Sequence, residues 1–180
     1  PIAGERSQRQ ERVQRGNPPA CRGCASSAAD GVADAAHLDW KADRVLVVKS
    51  ERVLYLIRDD HIFASYRIAL GRSPIGHKVF QGDGRTPEGL YTLDQRNSGS
   101  RFYRSIRISY PSSRDYAEAY KYGDRPGGLV MIHGQAGDAG TGYYGSRSWD
   151  WTEGCIAVSN AEMDEIWAAT DEGTPIEILP

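Results

Sequence analysis

Between residues 44 and 70 the chain runs through three short apolar stretches, 44–49 (RVLVVK), 53–58 (VLYLIR) and 62–70 (IFASYRIAL), parted by brief polar breaks. They are rich in β-branched and aromatic residues and too short for stable helices, so they predict a meander of antiparallel strands. A chain that begins its ordered part in this way must cover one face of a sheet with its remaining residues.

Beyond residue 70 the strand pattern continues. Gly82-Asp83-Gly84-Arg85-Thr86-Pro87-Glu88-Gly89 is a long turn signal, and strands are expected at 90–94 and 104–109. A helix is expected over 113–122, with Ser112 or Ser113 as its cap and Gly123 as its stop. Residues 128–133 (GLVMIH) read as a buried strand that ends on His133, and a loop rich in Gly and Tyr runs from Gly134 to Asp150. Ser159-Asn160-Ala161-Glu162 is a capping box for a helix over about 160–170, whose apolar face carries Met163, Ile166 and Trp167. A last strand is expected at 174–179. The fold class is mainly β with two short helices.

At 180 residues there is room for one ordinary domain. Residues 1–36 are Arg-, Gln-, Ser-, Ala- and Gly-rich with few large apolar side chains, and read as a poorly ordered N-terminal arm. The domain is expected over 37–180. A net charge of -2 with scattered basic residues speaks against a nucleic-acid partner. No apolar run approaches the ~18 residues of a membrane span, so membrane association is not evident. The sequence starts at Pro1 and shows no signal peptide, which leaves localisation to be inferred from function.

Three cysteines divide into a local pair, Cys21 and Cys24, and a lone Cys155. The pair lacks the strand-to-helix setting of a redox motif and lacks a second Cys or His pair for zinc. A small disulfide loop or two idle thiols remain open for it, and no metal or cofactor is expected. Cys155 stands differently, after a glycine in Thr152-Glu153-Gly154-Cys155. Glycine lets the backbone turn sharply and lets amides approach a substrate oxygen, so Gly154 and Cys155 are candidate oxyanion donors. A nucleophilic thiol needs a base, and His133 at a strand end is the best candidate. The Gly134 carbonyl is placed to fix its tautomer.

His133-Gly134 followed by Thr152-Glu153-Gly154-Cys155 resembles the active site of the L,D-transpeptidase (YkuD-type) catalytic domain family, which carries His-Gly, a loop, then Ser/Thr-x-Gly-Cys. The turn Arg85-Thr86-Pro87-Glu88-Gly89 is similar to that family's Thr-Pro-x-Gly turn, and the likeness covers roughly residues 42 to 180. It implies a YkuD-like β-sandwich or mixed-sheet cradle, and peptidoglycan stem peptides as partners. It implies that Cys155 attacks the carbonyl of an L-configured residue joined to a D-residue, and that an amine resolves the thioester. It implies a periplasmic or other cell-envelope location. Many members have His directly before Gly-Cys and Arg or Asn two residues after the cysteine; this chain has Glu153 and Ala157. The run Asp150–Ala157 is closer to the YafK-like branch, some of whose members cut a protein–peptidoglycan link.

Two further readings share the fold: a peptidoglycan amidase, endopeptidase or carboxypeptidase that gives the acyl-enzyme to water, and a non-catalytic wall-binding domain. Around the nucleophile, Tyr143, Tyr144, Trp149 and Trp151 either pack the loop or wall a peptide stem. Arg72, Arg85 and Arg147 are candidate binders of substrate carboxylates, and Thr152 completes the substrate-facing set. His37, His61 and His77 read as surface or turn residues, with His77 able to edge the cleft.

Overall fold

The computed structural model describes residues 40–136 and 150–180. Strands β1 (Arg44–Val48), β2 (Val53–Arg58) and β3 (His61–Arg67) form the expected antiparallel meander. Asp59 and Asp60 join β2 to β3 with φ of 50° and 61°. A two-residue hairpin loop with both residues in the left-handed region matches the twist of its strands, and Asp tolerates that region better than most residues. Strand β8 (Pro175–Leu179) lies parallel to β1, and β4 (Gly89–Ser100) pairs antiparallel with β8. Next come β5 (Tyr103–Ile108) and β6 (Met131–His133), each antiparallel to its predecessor, and β7 (Ile156–Ala157), parallel to β6. The sheet is therefore mixed, with eight strands in the order β3-β2-β1-β8-β4-β5-β6-β7.

The two ends of that order meet. Ala69, just beyond β3, bridges to Ala157 of β7, and Gly71 bridges to Thr152. The sheet thus curls until the segment after the first meander lies beside the nucleophile turn. Strand β4 allows the curl. It pairs with β8 through its first half and β5 through its second, with register irregularities after Leu93 and Asn97. Such irregularities bend a strand. The enclosed face is apolar: Val45, Val47, Leu54, Leu56, Ile106, Ile132, Ile156 and Ile176 are all buried.

Two helices complete the molecule. Helix α1 (Ser113–Lys121) is capped by Ser112 with a reciprocal bond from Asp115, and Gly123 follows it at φ 71°. Helix α2 (Asn160–Ala169) has the capping box of Ser159 and Glu162 and packs against β5. Met163 and Ile166 are fully buried as expected. Trp167 is only partly buried, with the Arg96 guanidinium 4.0 Å over its ring. Two expectations need correction. The strand expected at 90–94 reaches Ser100, because its outer half pairs with β5 rather than with the core. The strand expected at 128–133 begins only at Met131, since Gly127 and Leu129 take φ of 78° and 56° and cannot continue a ladder.

Candidate active site

His133 ends β6, where β5 pairs on one side and β7 on the other. Its ring is buried, stacked on Phe102 at 4.6 Å and met edge-on by Trp151 at 5.8 Å. Nδ1 lies 2.7 Å from the Gly134 carbonyl. A carbonyl only accepts, so Nδ1 carries the proton, and Nε2 of the neutral ring is left with a free lone pair. Burial also pushes the imidazole below its ordinary value, more than the Gly134 carbonyl raises it, which favours the neutral ring. Gly134 has no alternative: a Cβ there would sit 2.5 Å from Asn160 Oδ1. That same Oδ1 accepts from the Gln135 N–H at 2.7 Å, so the start of α2 fixes the residues after His133.

Cys155 immediately precedes β7. The register pairs Ile132 with Ile156 and His133 with Ala157, which sets Cys155 opposite Met131. Side chains alternate along strands, so Met131, His133 and Cys155 project from one face of the sheet, with base and thiol on adjoining strands. The Cys155 thiol donates to the Leu129 carbonyl at 3.5 Å. Burial pushes the thiol up, opposed by a hydrogen bond from the Met131 backbone and by the charge of Lys78.

The turn before the cysteine is held from inside. Thr152 Oγ1 donates to the Cys155 carbonyl at 2.7 Å and accepts from the Gly154 N–H at 3.1 Å. Gly154 takes φ 131°, and a Cβ on it would approach the Arg85 carbonyl to 2.5 Å. The Thr-Pro-x-Gly turn therefore presses directly on the nucleophile turn. Thr86 Oγ1 accepts from the Gly71 N–H at 3.1 Å, which joins that turn to the strand end that bridges Thr152. Asp150 is clamped by Arg52 through both carboxylate oxygens and also accepts from the Leu70 N–H at 2.9 Å.

These bonds redistribute the roles read from the sequence. The Gly154 N–H is already donated to Thr152, whereas no described residue accepts from the Cys155 N–H. Of the two candidate oxyanion donors, Cys155 is the one with a donor to spare. Thr152 is buried and spends its hydroxyl within the turn, on the Cys155 carbonyl and the Gly154 N–H. Arg72 is ion-paired at the surface with Glu153. Trp151 packs on His133. Tyr143, Tyr144, Arg147 and Trp149, like Cys21, Cys24 and His37, lie outside the described residues.

His77 is not at the thiol. Its Nδ1 accepts from the Glu88 N–H at 3.0 Å and its Nε2 is 3.1 Å from Asp115, in a cavity of about 840 Å³ between α1 and β4. A smaller cavity of about 550 Å³ is lined by Lys78, Gln81, Gly127, Leu129 and Glu153. Among the described residues no cluster of His, Cys, Asp and Glu is suited to a metal ion. No described helix is long and apolar enough to cross a membrane.

Phe102, Asn160 and Lys78 escaped the sequence reading. Phe102, in the turn between β4 and β5, and Asn160, at the start of α2, meet His133 and Gly134 only through the tertiary fold, which spacing along the chain does not show. For Lys78 a signal existed: an Asp five residues on, inside the turn.

The chain is similar to known proteins along most of this unit. The profile of the L,D-transpeptidase catalytic domain (YkuD) matches residues 42–178. YafK of Escherichia coli strain K12 is 32% identical over 130 residues, 68% of this chain and 45% of that protein. Among solved structures, the helical cell shape determining protein Pgp2 of Campylobacter jejuni aligns at a TM-score of 0.56 and 26% identity, over 74% of this chain and 46% of that one. Bd1075 of Bdellovibrio bacteriovorus shares the fold at a TM-score of 0.52 and 22% identity, over 76% of this chain and 47% of that one. The chain thus spans about half the length of these relatives. With a matching profile over the whole described fold and His133-Gly134 and Gly154-Cys155 at its centre, the chain belongs to the L,D-transpeptidase catalytic domain family.

Proposed function

We propose that the chain is a peptidoglycan L,D-transpeptidase of the cell envelope that works through a thioester on Cys155. The supporting observation is the His133 tautomer: Nδ1–H is held by the Gly134 carbonyl, so Nε2 is an unprotonated base on the face shared with Cys155. His133 takes the thiol proton as Sγ attacks the carbonyl carbon of the L-configured stem residue. The Cys155 N–H donates to the oxyanion. The C–N bond to the D-residue then breaks, and His133 returns its proton to the leaving amine. An amine from a second stem or a protein attacks the thioester, its proton passes to His133, and the thiol is regenerated.

Ala157 stands where many relatives carry Arg or Asn. It is fully buried, its backbone bridged to His133 on one side and to Ala69 on the other. Whatever that residue does in other members, this chain does without it, which fits the YafK-like pattern. The arm over 1–36 and the domain over 37–180 remain the working division of the chain.

Incubating purified protein with peptidoglycan and excess D-amino acid, then separating the muropeptides by mass, tests the reading. Exchanged or cross-linked stems are expected. Only hydrolysed stems or released protein, at every acceptor concentration, would replace the transferase by a hydrolase.

A further inference from the structure

Lys78 lies behind the nucleophile turn, with its side chain 4% exposed. Nζ donates to Asp83 Oδ1 at 2.8 Å and to the Phe80 carbonyl at 3.2 Å. A Cβ built on Gly154 would come within 3.7 Å of Nζ, so the ammonium rests against the residue before Cys155. Lys78 also lines a cavity together with Glu153 of the turn and Leu129, whose carbonyl accepts from the thiol.

A buried ammonium normally has its charge cancelled by a partner. Here the partner is shared. Asp83 Oδ2 also accepts from the Val79 and Phe80 N–H groups at 2.8 and 3.1 Å, and Oδ1 from the Arg85 N–H at 3.0 Å. Asp83 is thus shared among Lys78 and three amides, and the ammonium end of the pair is the one set against Gly154. Among the described residues, the other charged or titratable groups around the turn are the pairs Arg52–Asp150 and Arg72–Glu153, and His133; Arg85 meets Gly154 through its backbone carbonyl while its guanidinium lies by Gly76. Arg72 and Glu153 offset each other at the surface, where solvent screens them. His133 is neutral in its resting tautomer. Among these groups Lys78 is the buried charge packed directly on the turn.

We propose that Lys78 is a positioning residue that acts through Cys155, its buried charge favouring the thiolate and the oxyanion that forms at the Cys155 N–H. This rests on the reading of Cys155 as nucleophile. The direction agrees with the thiol's surroundings, in which Lys78 opposes the upward push of burial. A purely structural lysine would instead serve only to knit the segment from Lys78 to Arg85.

The two roles separate in the pH dependence of thiol reactivity. Cys155 alkylation by iodoacetamide is followed by peptide mass spectrometry between pH 7 and 10, in a Cys21→Ser, Cys24→Ser background. Lys78→Gln keeps a hydrogen-bond donor but removes the charge. It should slow alkylation at a fixed pH about tenfold, equivalent to about one unit of thiol pKa. Lys78→Arg should recover most of that loss. Asp83→Asn removes the counter-charge and should speed alkylation. A structural role predicts no shift, or shifts of one sign in both Lys78→Gln and Asp83→Asn, and either result overturns the proposal. If Lys78→Gln does not fold by circular dichroism, the sign for Asp83→Asn decides alone: faster supports, unchanged or slower overturns. A wild-type Cys155 inert to both iodoacetamide and stem peptide would remove the nucleophile reading itself, a result distinct from a reactive thiol that ignores residue 78.

Discussion

The thiol and the imidazole are both shifted away from charge: burial raises Cys155 and lowers His133. At neutral pH the resting pair is therefore thiol and neutral imidazole, not an ion pair, and proton transfer accompanies attack. His133 protonates only below its ordinary 6.5. Acylation should accordingly hold at pH 6.5 and fall on further acidification, which stopped-flow or quenched assays across pH 5 to 9 will read. The same shifts bear on stability. An unfolded histidine takes up its proton from about 6.5 downward while the buried ring resists, so this contribution is present above 6.5 and declines as pH falls. An unfolded thiol ionises near 9.0 while the buried one resists, so the Cys155 contribution is present below 9.0 and declines as pH rises. Removing the base with His133→Ala should slow acylation about 10²–10⁴-fold with little change in substrate binding. The bond from His133 to the Gly134 carbonyl and the tight turn at Gly154 were legible in the sequence, because a Gly next to each proposed reactive residue marks a backbone that must come close to something. The side chains that surround the base were not legible, since Phe102 and Asn160 reach it across strands and through the start of α2.

At the scale of elements, the turn from Thr152 to Cys155 is the most constrained segment. It is braced inside by one hydroxyl and outside by the carbonyl of Arg85. Gly154→Ala should be poorly tolerated for two separate reasons, a φ of 131° and a clash with backbone. A loss of about 2 kcal/mol or more in denaturant unfolding is expected, together with loss of turnover. Thr152→Val removes two hydrogen bonds and strands the Gly154 N–H, costing about 1–3 kcal/mol and lowering kcat through a displaced thiol. Ser159→Ala offers a control on the other side of the site. It deletes the cap of α2 and should cost about 1 kcal/mol in stability. Activity should fall only as far as α2 loosens its hold on Gln135 through Asn160. The caps of both helices were written in the sequence, because a capping box is a local pattern. The length of β4 was not, since its second half alternates weakly and owes its strand form to pairing with β5.

The whole molecule works by bringing distant segments to one place. Residues 69–72 close the sheet against 152–157, and the turn over 84–86 buttresses both. The meander and the mainly β class followed from short apolar runs rich in β-branched and aromatic residues, parted by polar breaks. The parallel placement of β8 beside β1 and the meeting of the sheet's two ends did not, because they depend on pairings more than 80 residues apart. These contacts all join residues beyond 40, so deletion of 1–36 should leave melting temperature and turnover unchanged within a few degrees and about twofold. The central claim, that Cys155 forms the acyl-enzyme, is tested most directly by intact-protein mass after incubation with a stem tetrapeptide ending in a D-residue. The account predicts a mass gain equal to the stem less the released D-amino acid, localised to Cys155, released by hydroxylamine and absent from Cys155→Ala. Turnover by a folded Cys155→Ala protein, or an adduct on any other residue, would contradict it.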